Sequence, residues 1–470
     1  MSQPVLPPEL HKIIIDIISD DAVCDAEQSP YRLKRGAREL LGACSLVCKA
    51  WHGLTLQHTF YNAHFDLSAG ERDRKRNAVL FQLLEVSPLI RRCIRRVEMY
   101  LEWSAPPGDV EKFCSAIGPI QTLRVVLQSS PLGRPLPRPS PLDSLHPILT
   151  TQHFRDLTIW SNRFPLRLLE DLTSLRSLTL EGVKVLDVDH SRDGTWRSSS
   201  LEKLVLTYPR RVLNQIWAVI LDNRNVGLEG FFDHIKYLDI DLDTADVFRD
   251  TSWANLLARW TCIGSLVVRW TVKGEFISIR YLNADFDSVQ SRLRKAGRAR
   301  FLQLSQTIPW ESFQDLRCLT YHISYLTRPS KRVLGAEVDP STLLFTGPSR
   351  LPSLQELHIT HYNRTTLHDV EDLDLCLAAI YQQNLNKTVE DSSSFPSLQT
   401  FGIEVKCSVS ELGSLVLDKE KVAQRVVDQL PAIFGTGGRR ETCSWVTNVL
   451  PNVQIRYLGL LIHYLSILII

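Results

Sequence analysis

The sequence lacks a charge surplus of either sign: 54 lysines and arginines face 52 aspartates and glutamates, a formal +2 over 470 residues. So balanced a chain is not drawn as a whole to nucleic acid or anionic lipid, and its partners must be recognised by shape and local chemistry. CxxC pairs are absent too. The ten cysteines are scattered and read as reduced thiols of a cytoplasmic or nuclear protein. Met1 to Leu10 has no basic stretch and Asp16 interrupts Ile13 to Ile18, so no signal peptide is expected. The most apolar segment, Tyr457 to Ile470, falls short of the ~20 residues a membrane-crossing helix needs. It is expected to continue a terminal strand that begins at Val453, which makes membrane attachment the lesser reading.

Catalytic signatures are missing as well. There is no GxSxG, GxxxxGK[ST], HExxH or strand-following GxGxxG, so neither an enzyme nor a cofactor is expected. The glycines of Gly435 to Arg440 lack the Lys-Ser/Thr that would hold phosphate and metal. Cys44 and Cys48 share a helical face but have no further ligands nearby, so they read as structural thiols and no metal is expected. Arg91, Arg92, Arg95 and Arg96 read as a solvated rim. With 44% hydrophobic and 23% charged residues, what remains is an ordinary globular chain.

What is present begins at the N-terminus. Leu6-Pro7-Pro8-Glu9-Leu10 opens a helix, followed by apolar residues at 10, 13, 14, 17 and 18. Ser19 to Arg38 is polar and reads as a loop. A second helical stretch from Glu39 to Trp51 would place Leu40, Cys44, Val47 and Trp51 on one side. So small a unit hides too little apolar surface to stand comfortably alone, and an outside surface is needed to cover it.

The pairing of Leu-Pro-Pro-Glu-Leu with Ala43-Cys44-Ser45-Leu46-Val47-Cys48-Lys49-Ala50-Trp51 resembles the F-box in its fungal form, over Leu6 to about Phe60. That resemblance implies docking on a Skp-family adaptor, and through it on a cullin, by Leu6, Pro7, Leu10, Ile14, Leu46, Val47, Cys48 and Trp51. The polar stretch between the two halves is longer than in compact members of the family.

Through the body of the chain one pattern recurs: apolar-x-x-apolar-x-apolar. It runs Ile94/Val97/Met99, Ile120/Leu123/Val125, Phe154/Leu157/Ile159, Leu175/Leu178/Leu180, Leu201/Leu204/Leu206 and Ile235/Leu238/Ile240. It continues at Ile263/Leu266/Val268, Leu316/Leu319/Tyr321, Leu354/Leu357/Ile359 and Leu398/Phe401/Ile403. These units resemble irregular leucine-rich repeats, without a regular Asn ladder. The resemblance implies an α/β fold: a curved parallel sheet in a solenoid over residues 118–470, behind an adaptor-binding module at 1–65 and a linker helix with a capping segment at 66–117. Glu71 to Glu85 reads as the connecting helix, ending before Pro88, and the proline-rich Pro131 to Pro147 as an irregular loop.

Residues between the buried strand positions project to the opposite side. Arg124, Asp156, Thr158, Trp160, Thr179, Glu181, Lys203, Tyr237, Asp239, Asp241, Arg269, His322, Glu356, His358 and Glu404 are therefore candidates for a binding face. The substrate-binding set drawn from them is Trp160, Glu181, Tyr237, Asp239, Asp241, Arg269, His322 and His358, with the two aromatics as anchors. Taken together, the resemblances imply the substrate-recognition subunit of an SCF-type ubiquitin ligase holding an unidentified protein. The other reading is a repeat scaffold with no ligase role.

Overall fold

Parallel strands joined by helices and turns dominate the chain, which makes it a mixed α/β protein. The computed structural model describes residues 8–20, 35–67, 71–102, 105–128, 141–169, 172–183, 185–187, 201–207, 212–216, 218, 231–243, 252–272, 312–325, 351–367, 397, 400–409, 453–457 and 464–469. Two compact units emerge: Met1–Glu202 with Asp222–Phe232, and Lys203–Leu221 with Asp233–Ile470. Leu6, Pro7 and most of the proline-rich segment lie outside the described residues.

The first unit opens with α1 (Pro8–Asp20), α2 (Arg35–Ser45) and α3 (Lys49–Thr59). Pro8 sits in the first turn of α1, where its missing N–H would have had no partner. The flanking helices reach further into the polar stretch 19–38 than its composition suggests. The single helix expected over Glu39 to Trp51 is instead two. Ser45 Oγ donates to the Gly42 carbonyl at 2.6 Å, and the N–H groups of Leu46 and Val47 donate to the carbonyls of Ala43 and Cys44 at 3.1 Å. Local bonding of this kind competes with helix continuation. Cys48 is fully extended and caps α3. The three helices close on Ile15, Leu41 and Cys44, with Ile18, Trp51 and Leu54 packed against that cluster.

The same unit continues with β1 (Asn62–Asp66), α4 (Glu71–Val86), α5 (Pro88–Cys93), β2 (Arg96–Glu102), α6 (Pro107–Ala116) and β3 (Thr122–Gln128). A 3-10 turn at Asp143–Leu145 leads into α7 (His146–Leu149), then β4 (Asp156–Trp160), β5 (Arg163–Pro165), β6 (Ser177–Glu181) and β7 (Val185–Asp187). The connecting helix stops at Val86 and a new one starts at Pro88, with Ser87 Oγ accepting from the Ile90 N–H. The end of the proline-rich segment is helical, not an irregular loop. Pro147 occupies the first turn of α7, where it costs no hydrogen bond. Strands β1, β2, β3, β4 and β6 pair in parallel, bringing His64, Glu98, Arg124, Thr158 and Thr179 level with one another. A separate parallel pair joins β5 to β7.

In the second unit, β8 (Lys203–Leu206), β9 (Tyr237–Asp243), β10 (Ser265–Val272), β11 (Cys318–Tyr325), β12 (Glu356–Leu367) and β13 (Thr400–Val409) run parallel, and α8 (Ser252–Arg259) lies between β9 and β10 in sequence. The chain ends in β14 (Val453–Tyr457) and β15 (Tyr464–Ile469); β15 pairs antiparallel with both β13 and β14.

The recurring pattern marks the core. From Ile94 through Val268 each of its apolar positions is buried, as are Leu316, Leu319, Leu354 and Leu357. A fourth position belongs to the motif, visible in the sequence where Leu172 and Leu351 open its two most regular copies. Three residues ahead of the first apolar residue stand Leu172, Trp260, Phe313 and Leu351, all buried, and each accepts an i to i+3 bond from Leu175, Ile263, Leu316 and Leu354 in turn. This tight turn aims the chain into the next strand. One carbonyl then receives two N–H groups from the following strand: Tyr61 from Arg95 and Arg96, Arg95 from Gln121 and Thr122, and Gln121 from Arg155 and Asp156. Gly264 repeats the arrangement with Arg317 and Cys318. Such constant entry geometry holds the parallel register from strand to strand. Among the described residues, no helix is long and apolar enough to cross a membrane.

Candidate functional site

Two surfaces draw together the residues singled out above. The first is apolar and lies on the three opening helices. Leu10, Ile13 and Ile17 form one exposed stripe of α1, at i, i+3 and i+7. Leu40 on α2 is exposed, and the corner between α2 and α3 presents Leu46 at 86% and Val47 at 65% exposure, with Cys48 also exposed. Corner geometry explains these values. Once the helix ends at Ser45, the two residues that follow have no neighbouring turn to lie against.

Sequence and structure differ in detail here. Cys44, grouped with Val47 on one face, points into the cluster with Ile15. Trp51 is half-buried against that cluster and meets the His11 ring edge-on at 5.7 Å, so it supports the surface more than it presents one. Ile14 is half-buried, whereas Ile13 and Ile17 are the exposed neighbours. His58 Nε2 lies 3.0 Å from Asp16 Oδ1 and ties α3 back to α1. Among the described residues, every exposed large apolar side chain except Trp160 precedes residue 90; a second stripe runs through Val79, Leu83 and Val86 on α4.

The second kind of surface is the strand face opposite the core, present separately in each unit. In the first unit it carries a charged network built across four strands. Glu98 on β2 is buried, and it receives His64 Nδ1 at 3.3 Å, the Tyr100 hydroxyl at 3.4 Å and Arg124 Nη1 at 3.1 Å. Arg124 Nη2 continues to Glu181 Oε2 at 3.3 Å. The hydrogen bond from His64, with help from the Arg124 charge, holds the Glu98 carboxyl below its usual range against the opposing cost of burial. Alternation about Val97 and Met99 assigns Glu98 to this face by the rule that selects Arg124. His64 was not legible, because β1 has Phe65 as its one buried residue and lacks the recurring pattern. Trp160 is the exposed aromatic here, at 46%. Beside it Gly182 adopts φ +72, and a Cβ there would stand 3.5 Å from the Ser161 carbonyl and 3.8 Å from Trp160 Nε1.

In the second unit, Asp239 is 3% exposed and its carboxylate is engaged by Arg269, so it braces the face without displaying a charge. Tyr237 is half-buried under the Lys203 ammonium, 4.8 Å from its ring centre. Burial, reinforced by Asp239, raises the Tyr237 hydroxyl above its ordinary value. Asp241 and His322 are half-buried and Arg269 is exposed. His358 lies next to Glu356 with Nε2 and Oε2 3.5 Å apart, and their ligand atoms and Cys318 Sγ lie within 4.8 Å of one another. The Cys318 thiol is raised by burial and by the Glu356 charge.

Of the arginines read as a solvated rim, Arg91, Arg92 and Arg96 are exposed, and Arg91, Arg95 and Arg96 also make contacts that tie neighbouring segments. Arg91 Nη2 donates to the carbonyls of Ser115 and Ile117 at the C-terminal end of α6, Arg95 Nη1 donates to Pro119 O, and Arg96 lies over the Tyr61 ring. Cations at that helix end also complement its partial negative charge. The six cysteines among residues with described side chains are free thiols. When the chain is compared with known proteins, no family model matches it and no curated protein sequence does.

Proposed function

We propose that this chain is the substrate-recognition subunit of an SCF-type cullin-RING ubiquitin ligase, located in the cytoplasm or nucleus. Its opening helices, read as an F-box, dock on a Skp-family adaptor; the later strands, read as an irregular leucine-rich-repeat array, hold a protein substrate. The observation that carries this reading is the uncovered apolar surface of Leu10, Ile13, Ile17, Leu40, Leu46 and Val47 on a three-helix unit whose own core lies elsewhere. The chain performs no chemistry in this scheme. It raises the effective concentration of a substrate lysine near a charged conjugating enzyme.

Full burial of a Leu or Val side chain is worth about 1.5–3 kcal/mol. Two charges placed on the surface, Leu10→Asp with Val47→Asp, should therefore weaken adaptor binding at least ~100-fold. Both positions are exposed, so the helical core should survive. Co-purification of the full chain with a Skp-family adaptor, lost in the folded double variant, supports the receptor reading. Retained association would remove this face from it. No association by the parent chain would leave the scaffold reading.

A further inference from the structure

We propose that Cys318, Glu356 and His358 form a zinc site on the strand face of the second unit. The inference is independent of the ligase reading, since it rests on strand geometry alone. Parallel pairing of β11 with β12 sets Cys318 directly opposite Glu356. Side chains alternate along a strand, so His358, two residues on, shares the face of Glu356. A sulfur, a carboxylate oxygen and an imidazole nitrogen thus converge within 4.8 Å, although Cys318 and Glu356 stand 38 residues apart and no metal-ligand spacing is visible in the sequence.

The distances suit the ion. Zinc bonds of about 2.0–2.3 Å in a tetrahedron set ligand atoms ~3.5 Å apart, and Glu356 Oε2 to His358 Nε2 already measures 3.5 Å. The remaining separations to the sulfur are at most 4.8 Å, so reaching ~3.5 Å asks for movements of no more than about 1.3 Å. The donor set selects the metal class: thiolate and imidazole favour zinc over magnesium and calcium, which prefer all-oxygen shells. Ser265, the register partner of Cys318 on β10, and Thr320, two residues on along β11, share the face of the sulfur and offer hydroxyls to orient it. On binding, a sulfur lone pair forms the metal bond and the thiol proton leaves to solvent, with no change of oxidation state. Thiolate and carboxylate then neutralise the divalent charge. Three protein ligands leave the fourth position to water, and both Glu356 and His358 are accessible to solvent.

The test is a cobalt titration of the full-length, reduced chain. The expected result is a near-ultraviolet thiolate-to-cobalt charge-transfer band that saturates at one equivalent and collapses when Zn2+ is added. Cys318→Ser should abolish the band, while Cys262→Ser, at an exposed thiol outside the cluster, should leave it intact. Glu356→Gln and His358→Ala lie at accessible positions, should melt like the parent chain, and should each weaken Zn2+ binding at least ~10-fold. They decide the matter even if Cys318→Ser fails to fold. No band in the parent chain, an undiminished band in Cys318→Ser, or unchanged Zn2+ affinity in both accessible variants would overturn the assignment.

Discussion

Arg269 grips Asp239 through a two-pronged ion pair: Nε reaches Oδ1 at 2.9 Å and Nη2 reaches Oδ2 at 2.7 Å, from one strand to the next. The arginine is exposed and the aspartate is not, so the pair is asymmetric. Removing the arginine leaves a buried carboxylate with its fork-shaped partner gone.

Arg269→Ala should accordingly destabilise the second unit by about 2–3 kcal/mol, at or below the lower limit of what breaking a fully buried pair costs, because one partner faces water. Denaturant unfolding measures this. Asp239→Asn with Arg269→Ala should cost less than the sum of the two single changes, and strict additivity would show that the pair contributes nothing.

Glu98 makes the first unit acid-sensitive. Its carboxyl is held below the ordinary value of 4.5 by the His64 hydrogen bond and the Arg124 charge, so it contributes stability above that value and loses it as pH falls toward the lower value in the fold. Glu98→Gln should lower the melting temperature clearly at pH 7, and the gap to the parent chain should narrow below about pH 4.5. A gap independent of pH would assign the effect to packing.

Trp51 and Val47 should separate stability from docking. Trp51→Ala removes a half-buried ring from the Ile15/Leu41/Cys44 cluster and should cost about 1–3 kcal/mol, below the range for a fully buried aromatic. Val47→Asp, at a corner open to water, should change stability by less than about 0.5 kcal/mol. Thermal melts of both variants check this, and a marked loss in Val47→Asp would mean that the corner is covered.

Thiol mapping gives a further check. Cys48 and Cys262 are exposed, whereas the Cys114 thiol is pushed up to about 12 by burial and donates to the Ser144 carbonyl at 3.2 Å. At pH 8 only about one Cys114 in ten thousand would be thiolate. Maleimide labelling followed by peptide mass analysis should modify Cys48 and Cys262 and spare Cys114. If the helices dock as proposed, the adaptor complex should protect Cys48 and leave Cys262 reactive.

Much of the strand architecture was legible because a half-buried strand writes its period into its residues. Leu178 and Leu180 are buried while Thr179 between them is partly open, as alternation requires. The same rule failed for β1, whose single buried Phe65 carries no period. The buried turn residue three places ahead shows in the sequence as a further leucine at Leu172 and Leu351, whereas Trp260 and Phe313 gain that meaning only once the turn forms.

By itself the sequence determined the strands that carry the recurring pattern, which side of each meets the core, and that the opening helices are too apolar to be wholly solvated. Tertiary structure alone decided which apolar residues stay outside. Ile13 and Ile15 are chemically identical, and only the packing of α2 and α3 against one flank of α1 buries Ile15 and leaves Ile13 in water. Likewise the meeting of Cys318 with Glu356 and His358 depends on strand register, a long-range pairing that local composition does not encode.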